Sequence, residues 1–283
     1  MPVVATNTAA NSALRFLNSN SSQATSSVSK LASGSRIVKA SDDAAGLAIG
    51  TRLKADVTAL TQAGINASQG ASVVQVADGG LGRIADVLQR MKALAAQSLS
   101  GVPTNTERGF IDAEYQELRQ EITDIAGTTR FNGASLLDGA TAAAAAADYF
   151  VGTDVSDTIT VAFTALSGVD GYTSTALGIA ATANTNVATA TAAAGAMSVI
   201  DAAIDTVSEA RATAGALISR FEFRGQQIAT SLENIDAAKS AIMDVDLAAE
   251  QSKLVSSQVL VQAAVSAVSQ ANQIPQSLLR VLQ

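Results

Sequence analysis

The chain has no cysteine, no histidine and no tryptophan, and each absence removes a class of chemistry. Without cysteine there is no disulfide, no thiolate nucleophile and no sulfur-ligated metal. Without histidine the commonest general base and the commonest zinc ligand are missing. Catalysis would have to rest on paired carboxylates or a Ser–Lys arrangement, which makes an enzyme remote and predicts no cofactor and no metal. Aromatic residues make up only 4% of 283 residues, although apolar residues reach 48%, much of it alanine. A compact core of this size normally leans on large rings, so apolar surface spread this thinly suits an elongated helical body. Charged residues are 15% and the net charge is −7. No basic cluster could track a phosphate backbone, which argues against a nucleic-acid partner. The opening "MPVVATNTAANSALRF" has no basic leader ahead of an apolar run, so no secretory signal peptide is expected.

What is present is mostly helix. Between residues 3 and 33 the only charges are Arg15 and Lys30, and the helix signal is weak at "NSNSSQATSS". From Asp43 to Leu99 it is strong. Leu81, Ile84, Leu88, Met91 and Ala95 step by three and four, the seam of a helix packed lengthwise on another. Gly79, Gly80 and Gly82 fall within this stretch; each interior glycine costs about 1 kcal/mol against Ala, which predicts a soft point or a short break. After the loop "SGVPTNTE" a further helix is expected from about Glu107 to Ile125, closed by the turn-rich "GTTRFNGASLLDG". Residues 140–198 differ in kind. "DYFVGTDVSDTITVAF" alternates apolar and polar and predicts a β-hairpin. "TANTNVATATAAAGA" has no firm period.

The clearest signal follows. Ile200, Val207, Ala214, Phe221, Ile228, Ile235 and Ile242 recur every seven residues, which predicts a helix lying along a partner of matching length, the 43–99 helix. The last stretch keeps a stripe of Leu247, Leu254, Val261 and Val268, but Val255, Val259, Leu260 and Val265 put apolar groups on its other faces. Its only charge after Lys253 is Arg280. A helix apolar nearly all round must be buried on all sides. Ser256, Ser257, Gln258, Gln262, Ser266, Ser269 and Gln270 interrupt every window long enough to span a bilayer, so burial among copies of the chain is expected rather than membrane insertion. Ordering about 40 residues costs several tens of kcal/mol, which a lone helix of Val, Ala, Ser and Gln cannot offset in water. Both chain ends are therefore expected to be disordered in a single copy and to fold on assembly.

One span breaks the helical character: "ASGSRIVKASDDAAGLAIG", residues 32–50. Asp42 and Asp43 are adjacent, so on a helix they point about 100° apart, with no third metal ligand near. Gly34, Arg36 and Lys39 do not form a phosphate-loop pattern. The plain expectation is a joint: Gly34 ends one helix, "SRIVKA" runs extended, Ser41 caps the next helix, and the two aspartates face its N-terminal dipole. Arg36 and Lys39 are placed to bond neighbouring subunits. Asp244 and Asp246 are expected to mark the joint on the returning strand, opposite Asp42 and Asp43 or Arg36.

These residues resemble a known family, bacterial flagellin. "LASGSRIVKASDDAAGLAI" is similar to its N-terminal signature, and "LTQAGINASQG", "LQRMKALAAQS" and "TTRFNGASLLDG" follow in family order. "SRFEFRGQQIATSLENI" and "VSQANQIPQSLLRVLQ" resemble its C-terminal half. The resemblance covers about residues 1–140 and 199–283. It implies a mainly α fold, an elongated antiparallel helical bundle and coiled coil formed by both termini, with a small β-hairpin region in the middle. Residues 1–40 and 243–283 would form the inner core domain, 41–139 and 199–242 the helical shell, and 140–198 a short variable segment with little or no outer domain. The implied function is a self-polymerising subunit of the extracellular flagellar filament, exported by the flagellar type III apparatus. Its expected partners are itself, an export chaperone, and the filament cap and hook-associated proteins. Leu14, Leu17, Leu31, Leu254, Val261, Val265, Val268, Leu278 and Leu279 are the candidate self-assembly core. Leu81, Ile84, Leu88, Met91, Ile200, Val207, Phe221, Ile228, Ile235 and Ile242 are the candidate inter-helix packing. "LQRMKALAAQ" resembles the patch seen by the Toll-like receptor that senses flagellin, with Arg90, Leu94, Gln97 and Glu114 matching and Met91, Lys92, Ala93 and Ala96 departing. Two alternatives remain from sequence: a hook–filament junction protein, and a secreted helical binding or translocator protein that folds as a soluble monomer.

Overall fold

Heptad stripes and a few turn signals organise the molecule. The computed structural model describes residues 7–139, 147–162, 171–179 and 186–281, with side chains through residue 273; Leu278 and Leu279 lie outside the described side chains. The elements are α1 (Thr8–Ser33), α2 (Ala44–Leu99), α3 (Asn105–Thr128), β1 (Arg130–Phe131), β2 (Ala134–Ser135), β3 (Ala147–Phe150), β4 (Thr158–Val161), α4 (Ala190–Met243) and α5 (Leu247–Val281). The fold is mainly α, with two antiparallel strand pairs among the described residues, β1–β2 and β3–β4. The chain divides into two compact units. One holds the residues through Val57 together with Asn234 onward, the other Thr58–Glu233; α2 and α4 contribute residues to both.

In the first unit α1 and α5 lie antiparallel. Asn7 caps α1, its side chain accepting from the Ala10 N–H, and Gly34 ends it in the left-handed region at φ 69°, a conformation glycine takes without the penalty a Cβ brings. The Asn7 side chain also donates to the Ala271 carbonyl at 2.8 Å, so the start of α1 meets a late turn of α5.

The second unit is closed by large side chains. Leu81, Ile84, Leu88 and Met91 of α2, Tyr115 and Ile122 of α3, and Ile200, Val207 and Phe221 of α4 are all buried. The antiparallel course of α2 and α4 is marked by Lys92–Asp201 at 2.5 Å and Arg211–Asp78 at 3.0 Å. Helix α2 runs without a break through Gly79, Gly80 and Gly82, so of the soft point and the short break that their cost suggests, the break is removed. Gly80 is there for close approach: a Cβ on it would lie 2.5 Å from Thr129 Oγ1 and 2.8 Å from Leu137 Cδ1. Helix α4 begins at Ala190, inside the stretch without a firm period, because Ala193 and Ala196 extend the three-four seam below Ile200 and are buried.

Turn chemistry sets the strands. Asn132 and Gly133 both have positive φ, 49° and 82°, which makes the β1–β2 link an Asn-Gly hairpin turn. In β3–β4, Ala147 pairs with Val161 and Phe150 with Thr158, the hairpin its alternation predicts. Asp157 holds the turn by accepting from the Thr153 and Asp154 N–H groups, both at 3.3 Å. The hairpin is anchored on the helices by Asn66 Nδ2 to the Phe150 carbonyl, by Arg224 to Asp157, and by an edge-on contact between Tyr149 and Phe221 with ring centroids 5.5 Å apart.

Candidate functional site: the helix pair at the chain ends

The span that broke the helical character is a joint, built differently from the expectation in two details. Helix α2 starts at Ala44, so its cap is Asp43, not Ser41: Asp43 Oδ1 accepts from the Gly46 N–H at 2.8 Å. Asp42 does not serve the helix dipole. Its Oδ2 accepts from the Val38 and Lys39 N–H groups at 3.1 and 3.0 Å, and these backbone hydrogen bonds hold its carboxyl below the usual range. Across the joint, the Arg36 N–H donates to the Met243 carbonyl at 2.7 Å and the Val245 N–H to the Gly34 carbonyl at 3.1 Å. Ser35 and Asp244 form an isolated antiparallel bridge, and the Arg36 guanidinium donates to the Ile242 carbonyl at 2.5 Å. Arg36 is thus engaged within its own chain, whereas Lys39 is exposed. Asp246 caps α5 by accepting from the Ala248 and Ala249 N–H groups, both at 3.0 Å. The end of α1 and the start of α5 are stitched together by backbone.

Beyond the joint the seam is thin. On α5 the three-four positions are Leu247, Glu250, Leu254, Ser257, Val261, Ala264, Val268 and Ala271, of which Glu250, Leu254, Ser257, Ala264 and Ala271 are buried. On α1 the matching positions include Ala10, Leu17, Ala24, Ser27 and Leu31, with only Ala10 and Ser27 fully buried. The candidate core residues therefore divide. Leu254 is buried, Leu17, Leu31, Val261 and Val268 are half-buried, and Leu14 and Val265 are exposed. Leu247, at the start of the seam, is exposed as well, and outside the seam Phe16 is 67% exposed and Val259 59%, with Val28, Val255 and Leu260 also exposed. A groove of about 460 Å³ between the helices is lined by Ala24, Val28, Leu254 and Val261 among others. Helices α4 and α5 both carry stretches long and apolar enough to cross a membrane by length and composition, with 28% and 22% of those stretches buried.

Sequence reasoning missed Glu250. It falls on the three-four seam between Leu247 and Leu254, and that position was the signal. Ser27 Oγ donates to Glu250 Oε1 at 2.6 Å, and Lys253 Nζ lies 3.3 Å from Oε2. The Ser27 hydroxyl lowers the Glu250 pKa, against the cost of burial and with help from Lys253 and Lys30.

The candidate packing and receptor-patch residues lie as follows. Leu81, Ile84, Leu88, Met91, Ile200, Val207, Phe221 and Ile228 are buried, and Ile235 and Ile242 half-buried. Arg90 Nε and NH2 both donate to Glu114 Oε1, at 2.9 and 2.6 Å. Gln97 is exposed, while Leu94 is turned into the core at 2% exposure. Two described stretches from the middle of the chain, also unforeseen, bond to α3: the Ser174 N–H donates to Thr123 Oγ1 and the Val187 N–H to Asp112 Oδ1. Ser98 Oγ donates to the Val187 carbonyl. Among the described residues no group of three or more Asp or Glu could hold a metal ion.

Comparison with known proteins places these features in a family. Residues 4–142 match the bacterial flagellin N-terminal helical region and residues 197–282 the bacterial flagellin C-terminal helical region. The chain is 33% identical over 279 residues to the flagellar filament 30.7 kDa core protein of Treponema maltophilum, covering 95% of each. It is 34% identical over 282 residues to a flagellin of Halalkalibacterium halodurans, covering 98% of each, and 35% identical over 272 residues to a flagellin of Listeria monocytogenes, covering 94% of each.

Proposed function

The chain belongs to the bacterial flagellin family, and from that premise we propose that it is the structural subunit that polymerises into the extracellular flagellar filament, its terminal helices completing their fold between copies. One observation carries this: the α1–α5 pair, stitched at one end and lined by small residues, leaves Phe16, Val255, Val259, Leu260 and Val265 about half or more exposed. Fully burying each such side chain returns about 1.5–3 kcal/mol, and among the described residues this pair has nothing left to bury them with. Ser and Gln on every turn of α5 favour neighbouring copies over lipid as the cover, because their hydrogen bonds need polar partners. The second unit supplies the rigid helical shell.

The rest of the proposal follows from the family. The subunit leaves the cell through the flagellar type III apparatus, is held beforehand by an export chaperone, and meets the filament cap and hook-associated proteins at the filament ends. It has no catalytic role. Arg90, Glu114 and Gln97 form the exposed part of the receptor patch; with Leu94 inward and four departures from the family pattern, activation of the flagellin-sensing Toll-like receptor is weakened but detectable in reporter cells.

The test is circular dichroism and limited proteolysis of the dilute soluble chain and of the polymer. The expected result is protease-sensitive ends in the soluble chain and a gain of helix on polymerisation. A soluble chain already protected at both ends, and failing to form long filaments, would overturn the proposal and favour a secreted binding protein.

A further inference from the structure

Glu250 is the only charged residue that is buried among the described residues, at 6% exposure. It sits at a seam position of a helix pair whose other contacts discriminate little between registers a heptad apart, since Leu247, Leu254, Val261 and Val268 repeat along one line of α5 and Ser257, Ala264 and Ala271 along the other. We infer that the Ser27–Glu250 hydrogen bond is the positioning contact that sets the α1–α5 register, and so decides which apolar side chains line up on the outside of the pair for neighbouring copies. This rests on the filament-subunit function proposed above.

The two kinds of contact carry unequal penalties. An apolar seam whose pattern repeats every seven residues slides by a heptad at little loss, whereas a carboxylate shielded from solvent costs free energy when it is left without a donor. Polar groups at single seam positions are the best-attested way a coiled coil fixes its register. In the observed register the carboxylate receives the Ser27 hydroxyl at 2.6 Å. A slip of one heptad one way sets it against Gly34, which has no side-chain donor, and the other way against Asn20, whose amide can donate but is bulkier than Ser27, so that slip is opposed by packing rather than by a lost donor. The backbone stitching at Gly34–Val245 and Arg36–Met243 holds the near end only; Ser27 and Glu250 form the first side-chain pair inward that distinguishes registers. The two lysines near the site, Lys30 on α1 and Lys253 on α5, are partners of lesser specificity, because their long stems follow the carboxylate through a shift.

The chain has no cysteine, so a pair of introduced cysteines reports register without background. Ala24→Cys is combined with Leu254→Cys for the observed register, and with Val261→Cys or Leu247→Cys for slips of one heptad either way. Filaments are assembled under reducing conditions and then oxidised, and links within one chain are separated from links between chains by electrophoresis. With Ser27 and Glu250 in place, the Ala24–Leu254 link is expected to exceed either shifted link at least tenfold. In Ser27→Ala/Glu250→Leu, which makes the seam apolar, the shifted links should rise to a comparable yield, and Glu250→Gln, which keeps an acceptor for Ser27, should restore the single register. A double variant that keeps the unshifted link alone overturns the inference and assigns register to the joint. If the double variant does not polymerise, it is mixed at one part in ten with unmodified subunits. Its exclusion while Glu250→Gln enters with the unshifted link supports the inference, and exclusion of both overturns it. Failure of the unmodified chain to polymerise would instead count against the filament function itself.

Discussion

Phe221 on α4 is 1% exposed and Val259 on α5 is 59% exposed, although both belong to long helices with apolar stripes. The first unit and the second differ in what a single chain can supply. In the second, Phe221 is met by the hairpin ring of Tyr149 and by a glycine on α2, and three helices enclose Leu81, Ile84, Leu88 and Met91. In the first, two helices meet along alanines, serines, one carboxylate and a line of leucines and valines of which only Leu254 is buried, and two helices have too few faces to cover a third apolar stripe. A helix pair can be satisfied along its seam and still be incomplete, which is how a chain encodes polymerisation in its ends while keeping its middle closed.

The sharpest way to break that contrast is to open the closed unit. Phe221→Ala removes a ring buried from both sides and should cost about 3–5 kcal/mol, read as a lowered denaturation midpoint of the soluble chain. Next is Gly70→Ala. A Cβ there would lie 2.6 Å from two carbons of the Phe221 ring, so the ring or the helix must move, at about 1–3 kcal/mol. The same glycine-to-alanine change at Gly79, where an added Cβ would meet nothing within 4 Å, should stabilise rather than harm through its helix propensity. If Gly70→Ala were as harmless as Gly79→Ala, the close seating of Phe221 would be wrong.

The two units were also unequally legible in the sequence. The stripe from Ile200 to Ile228 announced itself because every seventh residue is a large aliphatic or aromatic group apart from Ala214, and burial followed. The α1–α5 seam was half legible: Leu254 and Val261 mark one edge, but Ser27, Ser257 and Glu250 look like surface residues until the three-four spacing is followed through them. The role of Gly70 could not be read, since a glycine's purpose there lies in a ring on a distant helix of the chain. The described stretches 171–179 and 186–189 left no periodic trace, because their packing rests on single residues such as Ile179 and on backbone donors to Thr123 and Asp112. Asn132-Gly133 was plain hairpin chemistry and was read only as a turn.

The contrast can be sharpened by pH. Glu250 has its pKa lowered below the ordinary 4.5, chiefly by the Ser27 hydroxyl. A carboxylate with a depressed folded-state pKa contributes stability that is fully present above its unfolded value and is lost as pH falls through the folded one. The Glu250 contribution to the terminal helix pair should therefore be complete from neutral pH down to about 4.5 and fall away below it, while Glu250→Gln loses this part of the dependence. The measurement is the critical concentration for polymerisation of each protein from neutral pH downward. Equal slopes for the two would remove Glu250 from the acid response.

The smallest effect on the soluble chain is expected where the effect on the filament is largest. Val259 is exposed in a single copy, and a surface substitution away from caps and cores changes stability by no more than about 0.5 kcal/mol. Val259→Ala should leave the denaturation midpoint of the dilute chain in place. Deleting buried methyl groups costs about 0.8 kcal/mol for each CH₂ equivalent, so if neighbouring copies cover Val259, the critical concentration should rise at least several-fold. Leu254→Ala serves as the counterpart on the same helix, since Leu254 already faces the seam and should disturb the α1–α5 pairing itself. A critical concentration unmoved by Val259→Ala would mean that this face of α5 stays open to solvent in the filament, and the cover for the chain ends would have to lie along the Val255 and Leu260 faces instead.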